Sequence, residues 1–254
     1  MTDKKLPLIE LFGPTIQGEG TMCGKVTHFL RLGICDSKCT MCDSKHAVDP
    51  EQIKKWARYL TIPEILDEIA LLPKAPWMTL TGGNPCVHNL ADLVTGIQAM
   101  GMKVALETQG TFFPSWVHKC NLVTISPKGP GMGEMFNENL YEPWADFQNE
   151  MLYMRKEQPS TWAPETCLKV VVFNEQDLAF AKYVWDLTPD VPLFLSLGNS
   201  WLPDESDVTG DEHVLKLTAK YREMAELLYK DPVLCNARFL PQLHTLIWSN
   251  DKGR

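Results

Sequence analysis

The chain has 254 residues, 44% hydrophobic and 22% charged, enough to bury a sizeable core as one large domain or two small ones. Its net charge of −8, with no long Lys/Arg run, argues against the basic face that grips a nucleic-acid backbone, and no run of about eighteen apolar residues offers a membrane span. The opening "MTDKKLPLIELFGPT" lacks the apolar core of a secretory signal, so a cytoplasmic location is expected, and eight reduced cysteines suit metal better than disulfides.

In chain order, "LIELF" (8–12) and "VTHFLRL" (26–32) read as strands, the second with partial alternation. "TIPEILDEIALL" (61–72) reads as a helix. Thr61 and Glu64 have capping-box spacing, and Ile62, Ile65, Leu66 and Ile69 share one face. "WMTLT" (77–81) is a strand running into Gly82-Gly83, and "NLADLVTGIQAMG" (89–101) is a helix stopped by Gly101. The strands "KVALET" (103–108), "LVTIS" (122–126) and "LKVVVF" (168–173) follow. Asn174 is placed to cap a helix over 175–187. A strand at 192–197, a long amphipathic helix at 212–229, and "ARFLPQLHTLIW" (237–248), a last strand with a terminal segment, complete the chain.

Strand and helix in alternation predict a mainly parallel sheet with crossover helices, whose motif residues gather at the carboxyl ends of the strands. Thr81-Gly82-Gly83, Glu107-Thr108-Gln109-Gly110 and Ser126-Pro127-Lys128 each end an apolar run and are expected on one rim. The Pro- and Met-rich stretch 129–166 reads as an insertion covering one side of a single domain spanning 1–254.

The segment "GICDSKCTMCDSKH" (33–46), within a loop over 33–49, spaces Cys35, Cys39 and Cys42 as C-x3-C-x2-C. Structural zinc takes four ligands; no second cysteine pair follows, but His46 stands close enough to complete a Cys3His site. A disulfide would leave an odd thiol, and a thioredoxin-type pair would leave Cys35 unexplained. A cubane iron–sulfur cluster on three thiolates would keep one iron open as a reaction centre. From the residues alone, zinc and cluster both stand. Cys23, Cys86, Cys120, Cys167 and Cys235 show no pairing pattern and read as buried small hydrophobes.

The cysteine spacing after a strand resembles the radical S-adenosylmethionine superfamily, whose loop reads C-x3-C-x-aromatic-C, here with Met41 at the aromatic place. "TGGNP" (81–85) resembles that superfamily's GGEP motif, with Asn84 in place of the acid. The resemblance implies an α/β fold, a modified, incomplete (β/α) barrel. It also implies a [4Fe–4S] cluster on Cys35, Cys39 and Cys42 that cleaves S-adenosylmethionine to a 5′-deoxyadenosyl radical. Over essentially the whole chain, "FGPTIQGEG" (12–20), "ETQG", "SPK", "LKVVVF" and "LPQLHTLIW" resemble, in order, the 7-carboxy-7-deazaguanine synthase family. That likeness implies conversion of 6-carboxy-5,6,7,8-tetrahydropterin to 7-carboxy-7-deazaguanine with loss of ammonia, S-adenosylmethionine being regenerated and Mg²⁺ assisting. It further implies a homodimer and an electron donor such as a flavodoxin. Two other readings stand beside it. One is a glycyl-radical-enzyme activase, which shares the cysteine loop but is not expected to carry "PTIQGEG". The other is a non-catalytic zinc or iron–sulfur binding module.

Carried over position by position, the likeness assigns the pterin edge to Gln17 and the backbone of Ile16 and Gly18, and ring nitrogens to Glu19. Arg31 is expected on the substrate carboxylate, where a guanidinium forks well. Thr81, Gln109, His244 and Asn250 map to substrate-facing positions, and Glu107 to a catalytic acid at a strand end. Cofactor contacts are expected from Met41, Cys42 and Asp43, from Gly83, from Ser126, Pro127 and Lys128, and from Ser196, Leu197, Gly198 and Asn199. Ser44 is expected to offer its hydroxyl to Mg²⁺, a cation that prefers oxygen.

Overall fold

Among the residues that the computed structural model describes, 4–202 and 207–249, nine strands form one sheet. They are β1 (Leu6–Ile16), β2 (Val26–Leu32), β3 (Arg58–Leu60), β4 (Trp77–Gly82), β5 (Lys103–Thr108), β6 (Leu122–Ile125), β7 (Glu165–Val172), β8 (Leu193–Leu197) and β9 (Arg238–Leu240). Their spatial order is β3-β1-β2-β4-β5-β6-β7-β8-β9. β1 runs antiparallel to β2 and β3; every pair from β2/β4 onward is parallel. Parallel neighbours need crossovers. These are α1 (Pro50–Trp56) and α2 (Ile62–Ala70) before β4, α3 (Ala91–Ala99) before β5, a 3₁₀ turn (Ser115–Lys119) before β6, α4 (Glu138–Glu157) before β7, α5 (Glu175–Asp186) before β8 and α6 (Gly210–Lys230) before β9. A short helix, α7 (Leu243–Trp248), follows the last strand. The sheet stays open at β3 and β9, which makes it the expected incomplete (β/α) barrel with a mainly parallel sheet.

The period of two along each strand separates two faces. Leu30, Leu32, Leu80, Leu106, Ile125, Val170 and Leu195 are buried in one core with the helix residues Ile65, Leu93, Ile97, Trp144, Val184 and Leu228. The alternate residues Arg31, Thr81, Glu107 and Lys169 turn the other way and line a cavity. Register sets three polar residues in a row across β1, β2 and β4: Glu10 pairs with Arg31, and Arg31 with Thr81. Apolar outside and polar inside is the arrangement a reaction chamber needs.

Local chemistry explains the element ends. Thr61 N–H donates to Glu64 Oε2 (2.7 Å) while Glu64 N–H donates to Thr61 Oγ1 (3.4 Å), a capping box starting α2. Asn174 Oδ1 accepts from Gln176 N (2.9 Å) and Asp177 N (3.2 Å) to start α5. β1 runs four residues beyond the expected Phe12. Pro14 cannot donate to the ladder, and a register shift between Phe12 and Thr15 absorbs it, after which pairing resumes at Thr15 and Ile16. Most of the stretch 129–166 is α4, the crossover between β6 and β7, with Tyr141, Trp144, Phe147 and Met151 in the main core. Among the described residues no helix is long and apolar enough to cross a membrane.

Candidate active site

The cysteine loop leaves β2 and lies across the end of β4. Gly83 N–H donates to Leu32 O (2.9 Å) and Asn84 N–H to Ile34 O (2.8 Å). A Cβ on Gly83 would stand 2.1 Å from the Ile34 carbonyl oxygen, and Gly82 holds φ at +128°, so this close approach requires both glycines. Ile34 N–H to Ala47 O (3.0 Å) closes the loop, and Thr40 N–H to Met132 O (2.9 Å) anchors its tip to the segment before α4. Cys35, Cys39 and Cys42 are free thiols, each facing a cavity of about 200 Å³ bounded on its other side by the inner face of the sheet. Burial pushes Cys39 up to about 12 and Cys42 up to about 11, and raises Cys35 as well. Cys35 Sγ accepts from Gln109 Nε2 (3.2 Å) and Ser37 N (3.4 Å). Lys128 is half-buried against the same cavity and donates to Ser126 Oγ (2.9 Å); desolvation, then the charge of Lys169, pushes its pKa down.

The opposite wall is a set of paired polar groups. Glu107 accepts from Gln17 Nε2 (2.8 Å) on one oxygen and from Thr81 Oγ1 (2.7 Å) on the other. Arg31 donates through Nε to Glu10 (2.7 Å) and through a terminal nitrogen to Ser44 Oγ (2.9 Å), and Ser44 donates to Asp43 (3.0 Å). Lys169 donates to Glu19 Oε2 (2.7 Å), and Gln242 to Glu19 Oε1 (3.1 Å). Burial alone would raise the Glu19 carboxyl. The charges of Lys169 and His244, with the hydrogen bonds from Lys169 and Gln242, reverse this and bring it to about 2. Glu10 likewise falls to about 2, burial being outweighed by His46 and Arg31. Both carboxylates are therefore anions near neutral pH, fit to accept hydrogen bonds and unfit to donate them. Gly18 lets α7 close over this wall: a Cβ there would lie 2.2 Å from His244 Nδ1, and Leu243 N–H reaches Gly18 O (3.1 Å).

No family model matches the chain. It is 35% identical over 254 residues to the 7-carboxy-7-deazaguanine synthase of Bacillus subtilis (strain 168), covering 98% of this chain and 99% of that one. The chain belongs to the 7-carboxy-7-deazaguanine synthase family. A second member, from Bacillus cereus, is 34% identical over 253 residues with the same coverage. The fold is similar to a crystal structure of QueE from Escherichia coli, at TM-score 0.63 and 21% identity over 94% of this chain and 95% of that one. It is also similar to Streptococcus suis SuiB bound to S-adenosylmethionine, at TM-score 0.53 and 12% identity over 84% and 49%. As a member of this family the chain is a radical S-adenosylmethionine enzyme of the lyase type, and the family uses S-adenosylmethionine and an iron–sulfur cluster.

Among the described residues no group of three or more His, Cys, Asp or Glu stands close enough to hold a metal ion. The chemistry of the loop nonetheless fits a cluster. Three thiols share one cavity wall, N–H groups are aimed at the Cys35 sulfur, and the charge of the half-buried Lys128 acts on Cys39. Thiols raised by burial hold their protons until a cationic centre replaces them. His46, the residue a Cys3His zinc site would require, faces Glu10 at 3.4 Å and does not line the cavity.

Of the residues expected to meet substrate, Ile16, Gln17, Glu19, Arg31, Thr81, Glu107, Gln109 and His244 line the cavity. Of those expected to meet cofactor or Mg²⁺, Met41, Cys42, Asp43, Ser44, Gly83, Ser126, Lys128 and Asn199 line it too. Gly18, Pro127, Ser196, Leu197 and Gly198 do not line it. Ser196 Oγ is buried without a hydrogen-bond partner, and Asn199 accepts from His213 Nε2 (3.0 Å). Asn250 lies outside the described residues. Of the cysteines expected in the core, Cys86, Cys120 and Cys167 are buried, whereas Cys23 is half-buried and Cys235 exposed. Sequence reasoning missed Glu10, Asp36, Lys169 and Gln242. The signal for Glu10 and Lys169 was a single charge inside an otherwise apolar strand, "LIELF" and "LKVVV".

Proposed function

We propose that this chain converts 6-carboxy-5,6,7,8-tetrahydropterin to 7-carboxy-7-deazaguanine with release of ammonia, in 7-deazapurine biosynthesis of the queuosine type. The observation that carries the reading is the meeting of three free thiols and a ring of buried, paired polar groups in one cavity, in a chain of this family. Cys35, Cys39 and Cys42 would hold the [4Fe–4S] cluster. Gly83, Met41, Asp43, Ser126, Lys128 and Asn199 would flank S-adenosylmethionine. Bound together, cluster and cofactor supply the hydrogen abstraction at the substrate C6 that starts ring contraction.

The chain's own residues bind and orient. Arg31, held at Nε by Glu10, pairs with the substrate carboxylate. Ser44, with Asp43 beside it, would offer oxygen to Mg²⁺, whose role is to share that carboxylate's charge with Arg31. Glu107, steadied by Gln17 and Thr81, and Glu19, kept ionised by Lys169, accept from the N–H groups of the pterin. His244 and α7 cover the far side and keep water out. The enzyme works as a homodimer and draws its electron from a small carrier such as a flavodoxin. The test is an anaerobic assay of cluster-loaded protein with reductant, S-adenosylmethionine and the carboxylated pterin. The expected result is equal release of ammonia and 7-carboxy-7-deazaguanine with S-adenosylmethionine recovered intact. A fully loaded protein that leaves the pterin unchanged would contradict the reading.

A further inference from the structure

The side chain of Gln109 stands on the substrate side of the sequence reading, yet its amide is turned to the cysteine loop. Nε2 lies 2.6 Å from Asp36 Oδ1 and 3.2 Å from Cys35 Sγ. A side-chain amide carries two N–H groups, so one nitrogen can serve both a carboxylate and a sulfur. Asp36 Oδ1 takes a second donor, Asn84 Nδ2, at 2.9 Å. Asn84 is itself fixed: Oδ1 accepts from Thr108 Oγ1 (2.9 Å) and Cys86 N (3.1 Å), and Nδ2 also reaches Thr111 Oγ1 (3.2 Å). An acid at Asn84 would set a second carboxylate against Asp36, which gives a physical reason for the amide in "TGGNP". The ends of β4 and β5 thus clamp the first cysteine through two neutral amides and one carboxylate.

We propose that Gln109 is a positioning residue of the cluster, whose N–H on the Cys35 sulfur makes the cluster easier to reduce, with Asn84 and Asp36 holding that amide in place. The inference rests on the assignment of the cluster to Cys35, Cys39 and Cys42. Reduction adds one electron, and the added charge spreads onto the sulfurs. An N–H dipole aimed at a sulfur favours the reduced form over the oxidised one, and hydrogen bonds to sulfur are among the factors that set cluster potentials. The Gln109 side chain is buried, which strengthens the hydrogen bond it gives, while Cys35 itself is half-buried at the cavity. The second donor on Cys35 is the backbone N–H of Ser37, which any residue but proline would supply there. The Asp36 charge acts in the opposite direction, and the two amides donating to it weaken its field at the sulfur.

The test is an anaerobic redox titration, followed by electron paramagnetic resonance, of the wild type, Gln109→Met, Gln109→Glu and Asp36→Asn. Methionine keeps the length of glutamine and removes the donor. Its cluster should titrate lower by the equivalent of roughly a tenfold change in the reduction equilibrium, 59 mV for one electron. Gln109→Glu should lie lower still at neutral pH, whereas Asp36→Asn should lie above the wild type, a rise that a merely structural role does not predict. Wild-type protein labelled with ¹⁵N in glutamine side chains should show coupling of one such nitrogen to the reduced cluster; this decides the matter where a variant fails to retain iron. A fully loaded Gln109→Met cluster with the wild-type midpoint, or no side-chain nitrogen coupling in the wild type, overturns the inference and leaves the enzyme assignment intact. Wild-type protein that assembles no [4Fe–4S] cluster at all overturns both.

Discussion

The two walls of the cavity differ in what they lack. On the sheet side Glu19 has Lys169 at 2.7 Å, Glu10 has Arg31 at 2.7 Å, and Glu107 has the donors Gln17 and Thr81 at 2.8 and 2.7 Å. On the loop side the thiols of Cys39 and Cys42 are raised by burial, with Lys128 as the cation that pulls them back. One wall is complete as folded, and the other is built for a group the polypeptide does not supply. Under the proposed function the contrast would separate roles: affinity and geometry on the sheet side, chemistry on the loop side.

Removing a thiol should break the contrast most completely. Cys39→Ala is expected to abolish product formation and lower bound iron while the far-ultraviolet circular dichroism stays unchanged, because that cysteine lies in a loop and outside the packed core. Wild-type iron content and turnover in this variant would remove Cys39 from the cluster.

On the complete wall the damage should fall on stability. Lys169→Met leaves the Glu19 carboxylate, whose side chain is 11% exposed, without its cation and should cost about 3 kcal/mol in urea unfolding. The double variant Lys169→Met/Glu19→Gln removes both charges and should recover most of that loss. A double variant no more stable than the single one would mean that the pair is not coupled.

A smaller, purely functional effect is expected where the wall meets substrate. Arg31→Lys keeps the charge but loses the fork, so KM for the pterin should rise about tenfold with little change in unfolding midpoint. An unchanged KM would remove Arg31 from the carboxylate site.

The mildest test is acid. Glu10 and Glu19 titrate near 2 when folded, against an ordinary 4.5. The unfolded chain therefore binds protons first as pH falls. Stability from these two groups is complete above pH 4.5 and drains away as pH approaches 2. The Lys169→Met/Glu19→Gln variant, keeping Glu10 alone, should lose stability less steeply across that window in urea midpoints read at successive pH values. An equal slope would contradict the Glu19 shift.

How much of this was legible in the sequence depended on range. Caps, the Val26–Leu32 strand and the start of α5 were readable because their causes are local: a Thr three residues from a Glu, an Asn before a helix. The rim motifs were readable because each ends an apolar run, and the family likeness named most residues of the cavity. What escaped were partnerships across long separations. Glu19 is 150 residues from Lys169 and 223 from Gln242, and nothing local in "LKVVV" tells which charge its lysine meets. The apolar run that marks β1 stops at Phe12, whereas a register shift around Pro14 carries the strand through to Ile16. Gln109 was legible as a site residue, but its orientation toward Cys35 was not, since side-chain direction at a strand end is settled by the neighbouring loops.

The proposed activity depends above all on a cluster held by three cysteines with one iron left open to S-adenosylmethionine. The most direct measurement is the electron paramagnetic resonance spectrum of anaerobically reconstituted, reduced protein before and after S-adenosylmethionine is added, with iron and sulfide counted in the same sample. About four irons and four sulfides per chain, and a signal that shifts when S-adenosylmethionine binds, are the predicted result. A single zinc without sulfide, or a cluster whose signal ignores S-adenosylmethionine, would contradict it.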